Sequence, residues 1–230
     1  MGKKDLLLLH GALGSRSQFF TLIPFLKEAF QIHTLDFEGH GESSLKNRPF
    51  RDVYFEENVL EYLDKNSIEK VHLFGYSMGG QIALNLTASH PERIDRVFTL
   101  AVKFKWTPET ADKETAFLDA DHISNKFPRF AEALEERHIA SGWKNVLQRT
   151  KEMFLELGRR NESQAEKLGQ ISHPVRIGLG DRDNMVSLEE SLEVYHALEQ
   201  GELQIFPNTP HPLEKVPISL LAFSLADFFG

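Results

Sequence analysis

Short apolar runs recur along the chain and alternate with longer amphipathic stretches. Six of these runs hold few polar residues and lack a strict apolar–polar alternation, which is typical of strands covered on both faces. The predicted strands are 6–9, 31–36, 71–75, 93–102, 174–180 and 203–206.

Between these runs, apolar residues recur near the helical period of 3.6, as at Phe55, Val59 and Leu63. The predicted helices are 17–30, 52–64, 78–90, 187–200 and 218–229. Alternation of strands and helices predicts an α/β fold, with a parallel sheet of about six strands and helices on both faces. Right-handed crossovers place the carboxyl ends of all strands at one edge, where α/β proteins form their sites.

One stretch, residues 103–169, breaks this alternation. It contains no convincing strand, whereas Phe127, Phe130 and Leu134 keep helical spacing. The pattern predicts a core of residues 1–102 and 170–230 and a helical cap of two or three helices over 103–169. A long insertion at the functional edge is typical of a lid or substrate-binding cap. The alternative is a run of ordinary packing helices.

Composition narrows the class of protein. The 230 residues suit one domain with an insertion. A net charge of −8 argues against a nucleic-acid partner, and the absence of cysteine excludes disulfides and a thiol nucleophile. The four leucines near the N-terminus are too few for a signal peptide, and no apolar run approaches the ~20 residues of a membrane span. The sequence therefore predicts a cytoplasmic protein that contacts no membrane.

The strongest chemical motif is Gly75-Tyr76-Ser77-Met78-Gly79, which fits G-x-S-x-G. A predicted strand precedes it and a predicted helix follows, as a nucleophile elbow requires. In such a tight turn the residues two before and two after the serine crowd each other, so we expect glycine at both places. The serine adopts a strained conformation that lifts its hydroxyl above the sheet edge. The alternative is a glycine-rich turn with an idle serine.

A second loop supplies the candidate oxyanion hole. The first predicted strand runs into His10-Gly11-Ala12-Leu13. A tetrahedral oxyanion needs two convergent backbone donors. The N–H groups of Met78 and Ala12 are the candidates, with Leu13 next. His10 is interpreted either as a general base or as a brace for the loop, and its place at a strand end favours the brace.

These motifs, together with the stretch Asp36-Phe37-Glu38-Gly39-His40-Gly41-Glu42-Ser43, resemble the α/β-hydrolase superfamily, and in particular its small cytoplasmic serine hydrolases with a helical cap. The resemblance covers nearly the whole chain outside 103–169. It implies a sheet in the family order 4-3-5-6-7-8, without the usual opening hairpin, because only nine residues precede His10. Similar epoxide hydrolases and dehalogenases carry aspartate at the elbow, so Ser77 argues against both.

The resemblance also implies a catalytic triad. The family order is serine, then acid, then histidine. Its Gly-x-x-Asp pattern favours Asp183 as the acid, with Asp181 as the alternative. The base is expected in the loop after the last strand, where His211 is the only imidazole. Ser77, Asp183 and His211 would then cleave a carboxylic ester through an acyl-enzyme.

Nothing in this chemistry needs a cofactor, and no metal is predicted. The acidic residues and histidine between 36 and 42 match no zinc or calcium spacing. The expected partner is a small-molecule ester or acyl substrate, for a monomer or a homodimer. The residues expected to contact substrate are Leu13, Tyr76, Lys103 and Trp106. Lys103 either attracts a substrate carboxylate or is solvated.

Several activities remain open at this point. The same three residues serve a C–C bond hydrolase, a lyase of the menaquinone type and a cofactor-free haloperoxidase-like enzyme. Some proteins similar to this one are small-molecule receptors with weak hydrolase activity. The sequence favours the ester hydrolase.

Overall fold

The computed structural model describes residues 2–161 and 164–230, so Met1 and residues 162–163 of the predicted cap lie outside it. The described residues form one six-stranded parallel sheet in the order β2-β1-β3-β4-β5-β6. This confirms the predicted α/β-hydrolase order, and no antiparallel hairpin precedes β1 in the described chain. The strands are β1 (Lys4–Leu9), β2 (Phe30–Thr34), β3 (Val71–Tyr76), β4 (Ile94–Leu100), β5 (Val175–Gly180) and β6 (Gly201–Phe206).

Helices cover both faces of the sheet. The described helices are α1 (Ile23–Leu26), α2 (Asp52–Lys65), α3 (Met78–Ser89), α4 (Pro108–Thr115), α5 (Ala120–Lys126), α6 (Pro128–Arg137), α7 (Trp143–Arg160), α8 (Gln164–Leu168), α9 (Leu188–Ala197) and α10 (Ile218–Phe229). Because side chains alternate along a strand, β1 serves both layers. Leu7 and Leu9 join a core with α2 and α3, whereas Leu6 and Leu8 join a core with α1 and α10. No described helix is both long and apolar enough to cross a membrane.

Two predicted elements differ from the structure. Residues 17–30 form a 3₁₀ turn at Arg16–Phe19 and the single turn α1, not one helix. Pro24 in the first turn of α1 lacks the N–H that a continuous helix would need there, and Phe30 already belongs to β2.

Residues 103–169 hold five helices among the described residues, not two or three. The extra breaks follow local sequence signals. Thr107 caps α4, whose first residue is Pro108, and Asp119 caps α5. Pro128 separates α5 from α6, because the residue before a proline disfavours helical geometry.

Candidate active site

Ser77 lies in the turn between β3 and α3 with φ +51° and ψ −118°. A non-glycine residue in this region stores strain of about 1–3 kcal/mol, so its surroundings must hold it. The Ser77 N–H donates to the Leu100 carbonyl at 2.8 Å, and the Ser77 carbonyl accepts from the Gly80 N–H at 2.9 Å. These bonds link the turn to β4 on one side and to the first turn of α3 on the other.

The glycines around Ser77 are required by close backbone contacts. A Cβ added at Gly75 would lie 2.5 Å from the Gly79 carbonyl oxygen and would also collide with Gly80. A Cβ added at Gly79 would collide with the Leu9 carbonyl and lie 2.6 Å from that of His10. Any side chain at position 75 would therefore crowd the turn, as expected. Gly79 instead allows α3 to approach the end of β1.

The loop after β1 lies beside the serine. A Cβ added at Gly11 would lie 3.4 Å from Cβ of Ser77 and 2.8 Å from the Tyr76 ring. Ala12 follows Gly11 directly, and its N–H donates to no acceptor in the part of the chain that the structure describes. The N–H of Met78, at the start of α3, also has no described acceptor, as expected in a first helical turn. The loop after β1 and the start of α3 thus each place near Ser77 a backbone donor that has no acceptor among the described residues.

His10 braces this loop through both ring nitrogens. Nδ1 donates to the Gly11 carbonyl at 2.8 Å, and Nε2 accepts from the Phe37 N–H at 3.1 Å. The ring is fully buried, and burial lowers the pKa of His10 to about 4. With both nitrogens occupied by backbone groups, the geometry favours the bracing interpretation over that of a general base.

His211 and Asp183 meet beyond the ends of β5 and β6. The His211 Nδ1 donates to Asp183 Oδ2 at 2.8 Å, and the carboxylate is completely buried. Its other oxygen accepts from the N–H groups of Met185 and Val186, both at 2.9 Å. Asp181, the alternative acid, accepts instead from the Thr209 N–H at 3.1 Å. The structure therefore brings Asp183 to the imidazole, and with Nδ1 as the donor, Nε2 of a neutral ring is the acceptor.

Tyr76 connects the serine turn to the histidine loop. Its hydroxyl donates to the His211 carbonyl at 3.1 Å, and the two rings lie 5.7 Å apart between centroids. Burial raises the pKa of Tyr76, so the phenol remains a donor. The Ser77 hydroxyl makes no hydrogen bond to His211 in the described residues. Tyr76 thus links the main chain of the His211 loop to the residue that precedes Ser77.

A narrow cleft of about 30 Å³ opens beside Ser77. The segment 103–169 supplies one wall, in which the rings of Trp106 and Phe154 pack 4.8 Å apart. Its lining is Asp52, Ser77, Met78, Gln81, Val102, Lys103, Trp106, Met153, Phe154 and Leu157. The cleft is therefore mostly apolar, with a few polar groups, as small-molecule sites are.

Of the four residues expected to contact substrate, two line the cleft and two do not. Trp106 and Lys103 line the cleft, and Lys103 is held by the Met185 carbonyl at 2.8 Å, so it is not simply solvated. Tyr76 and Leu13 do not line it, because the Tyr76 hydroxyl bonds the histidine loop and Leu13 packs beside the helical segment. Sequence reasoning missed Gln81, although a residue four positions after Ser77 lies on the same face of α3.

The acidic stretch after β2 is bonded within the protein. Asp36 accepts from the Glu42 N–H at 3.0 Å, and Glu38 accepts from the Arg48 Nε at 2.9 Å. The His40 Nδ1 donates to the Glu38 carbonyl at 3.2 Å. These side chains thus shape the turn that packs against the His10 loop.

The chain matches a known family of proteins. The model of the alpha/beta hydrolase fold matches residues 5–155, more than half of the chain. The chain belongs to this family. A solved structure, the enol-lactonase from Burkholderia xenovorans LB400, matches with a TM-score of 0.81 at 16% identity, over 100% of this chain and 92% of that one. That likeness shows the shared fold.

Two curated relatives are hydrolases. The chain is 34% identical over 98 residues to the pimeloyl-[acyl-carrier protein] methyl ester esterase of Aeromonas hydrophila, a match that covers 42% of this chain and only 37% of the esterase. It is 24% identical over 234 residues to the 2-hydroxy-6-oxononadienedioate/2-hydroxy-6-oxononatrienedioate hydrolase of Klebsiella pneumoniae, over 91% of this chain and 81% of that one. The protein is thus similar to hydrolases of two different reactions.

Proposed function

We propose that the protein is a serine hydrolase that cleaves a small carboxylic ester, or a related acyl compound, through an acyl-enzyme on Ser77. The observation that carries this proposal is the 2.8 Å hydrogen bond from His211 Nδ1 to the buried Asp183 carboxylate. The main chain of His211 is bonded to Tyr76, the residue before the strained Ser77. A strained serine, an imidazole and a buried carboxylate at one sheet edge are the parts that nucleophilic acyl transfer needs.

The first half of the reaction follows from the tautomer of His211. Because Nδ1 donates to Asp183, Nε2 is the free base. Rotation of the Ser77 side chain towards His211 makes the missing hydrogen bond, and such bonds often form only with substrate bound. Nε2 then takes the hydroxyl proton while Oγ attacks the carbonyl carbon. The imidazolium gives that proton to the leaving alkoxide, and the acyl-enzyme remains.

The unpaired N–H groups of Ala12 and Met78 supply the electrostatic part. Both flank Ser77, and neither has another acceptor among the described residues. Fixed donors aimed at a developing oxyanion contribute about 10²–10³ in rate each. In the second half, water gives a proton to His211 and its oxygen to the acyl carbon, and the proton then returns to Ser77 Oγ.

A C–C bond hydrolase is the second candidate function. The relative from Klebsiella pneumoniae, matched over 91% of this chain, favours it. The same nucleophile and base would act, so only the substrate separates the two candidates. Steady-state assays with short aryl esters and with vinylogous diketone acids would decide between them.

The test that needs no knowledge of the substrate is labelling with a fluorophosphonate, followed by peptide mapping. We expect one adduct, on Ser77, and none in the Ser77→Ala variant. That variant should also lose ester turnover by about 10⁶, the order found when a triad serine is removed. A matched control is Ser17→Ala, a serine on the neighbouring 3₁₀ turn, which should keep full activity. Ester turnover that persists in Ser77→Ala would end the proposal.

A further inference from the structure

The end of helix α6 bonds directly to the loop that carries Ala12. The Arg137 Nη1 donates to the Leu13 carbonyl at 2.7 Å, and the His138 Nε2 donates to the same oxygen at 3.1 Å. His138 is completely buried and Arg137 is half-buried. Two side chains of the segment 103–169 thus converge on a single carbonyl of the His10 loop.

Leu13 needs such support because of its backbone conformation. Its φ is +56°, in the left-handed region that costs a non-glycine residue about 1–2 kcal/mol. It is the third residue of a tight turn closed by the Gly14 N–H and the Gly11 carbonyl at 3.0 Å. Without a partner for the Leu13 carbonyl, a leucine at this position would favour another conformation, and the turn would open.

The same turn sets the direction of the Ala12 N–H. The Gly11 carbonyl accepts from both the Gly14 N–H and the His10 Nδ1, which fixes it on the inner side of the loop. In a trans peptide the N–H points opposite to the carbonyl. The Ala12 N–H therefore points outward, next to Ser77, only while the turn keeps its shape.

His138 also joins a second loop. Its Nδ1 accepts from the Gly41 N–H at 3.0 Å, so the ring is neutral and carries its proton on the Nε2 that faces Leu13. Burial lowers the pKa of His138 to about 4, which keeps that tautomer near neutral pH. The ring thus connects the turn at Gly41 with the loop at Leu13. His10 makes a similar connection between two loops.

We infer that Arg137 and His138 are positioning residues that hold the Ala12 N–H in place for the oxyanion, so that the helical segment completes the site and does more than wall the cleft. This inference rests on the proposed function. Donors to an oxyanion act in the transition state, so their misplacement lowers kcat and leaves KM nearly unchanged.

The test compares variants that differ in the donors to Leu13. Arg137→Met keeps length and removes one donor. His138→Asn keeps an acceptor near the Nδ1 position and removes the other donor, whereas His138→Gln retains a donor near the Nε2 position. Arg129→Met, an exposed arginine on the same helix, is the matched control. Turnover is expressed per fluorophosphonate-reactive site, which removes the effect of misfolded protein.

We expect kcat per site to fall about 10-fold in Arg137→Met and about 100-fold in the double variant Arg137→Met/His138→Asn, approaching the loss of one oxyanion donor. The double variant Arg137→Met/His138→Gln should recover most of the second loss, and Arg129→Met should match the wild type. A kcat that stays unchanged in the Asn double variant, or a change confined to KM, overturns the inference.

Amide hydrogen exchange gives a readout that does not depend on the substrate. Loss of the two donors should speed exchange of the peptide covering 10–15 by about tenfold, which corresponds to ~1.4 kcal/mol of local opening free energy. Exchange in β4 should stay the same. Unchanged exchange in 10–15 overturns the inference. Failure of the proposed function would instead show as ester turnover that survives Ser77→Ala, while the exchange result still decides the role of Arg137 and His138.

Discussion

The sheet edge and the segment 103–169 form the two sides of the same cleft by different physical means. At the edge, main-chain atoms fix the geometry: the Ser77 N–H is bonded to Leu100, and Gly79 abuts the Leu9 carbonyl. In the segment, side chains do so, as in the packing of Trp106 on Phe154 at 4.8 Å. Main-chain geometry tolerates almost no change, whereas packed side chains can be exchanged for others of similar size.

The segment is not uniform in this respect. Apart from Lys103, its cleft wall is apolar, but its α6–α7 junction is bonded to core loops by polar groups. His138 contacts Leu13 and Gly41, and the Ser141 hydroxyl donates to the Ser43 carbonyl at 3.2 Å. The proposed function and the inference drawn above therefore assign substrate selectivity to the cleft wall and support of the chemistry to the α6–α7 junction.

Replacing Asp183 by Asn should have the largest effect on the edge. The amide no longer fixes the proton on His211 Nδ1, and kcat should fall by about 10⁴, as when a triad aspartate becomes asparagine. Steady-state kinetics with an aryl ester measure it. Asp181→Asn is the control, since that carboxylate bonds Thr209 and not the imidazole. Equal losses in both variants would refute the assignment of the acid.

A methyl group added on either side of the cleft should cost very different amounts. In Gly79→Ala the new Cβ meets the carbonyl oxygens of Leu9 and His10, so unfolding free energy should fall by about 3 kcal/mol. In Gly158→Ala the Cβ would collide with that of Ala111 and lie 2.9 Å from the Thr107 carbonyl oxygen, but the gain in helix propensity of about 1 kcal/mol offsets part of that clash, so the loss should be only about 1 kcal/mol. Urea unfolding measures both. Equal losses of unfolding free energy in the two variants would contradict the difference between the two regions.

Acid should lower the unfolding free energy through buried histidines in both the sheet and the segment 103–169. Burial lowers the pKa of His72 in β3 and of His138 at the segment to about 4, below the ordinary value of about 6.5. The unfolded chain therefore binds more protons, and unfolding free energy falls as pH drops from about 6.5 to 4, by up to roughly 3 kcal/mol for each histidine.

Urea unfolding at pH 7 and pH 4.5 tests this dependence. In His72→Phe, which keeps the ring stacked on Phe229, the difference between the two pH values should shrink while activity at pH 7 is retained. His122→Gln, an exposed histidine of α5, should keep the wild-type difference. If the difference in unfolding free energy between the two pH values is as large in His72→Phe as in the wild type, His72 is not a source of the pH dependence.

The smallest effect is expected at the apolar wall. Trp106→Leu removes part of the lining, and KM for an aryl ester should rise roughly tenfold, or ~1.4 kcal/mol, with little change in kcat. Phe117→Leu, an exposed aromatic residue of the same segment, should leave both constants unchanged. A loss of kcat in Trp106→Leu would place this wall within the chemistry and not beside it.

Local patterns were sufficient for the sheet and for the elbow. Apolar-rich runs marked all six strands to within a few residues, because the inner strands are covered on both faces and hold few polar side chains. The edge strands β2 and β6 are less buried and keep polar residues such as His33 and Gln204. The spacing of Gly75, Ser77 and Gly79 indicated the turn, since only glycine fits so close to another backbone. The single helix expected over 17–30 failed where Pro24 outweighed an apolar pattern.

The sequence alone therefore determined the fold class and the position of the serine turn, because these depend on periodicity and on local steric limits. The order of the strands was implied by the resemblance to the α/β-hydrolase superfamily and not by any local pattern. Only the tertiary structure decided which aspartate meets His211, which side chains line the cleft and which residues of the distant helix α6 reach Leu13. Those contacts join residues 28 to 125 positions apart. No local pattern encodes such pairs, since they arise only when separate elements pack against each other.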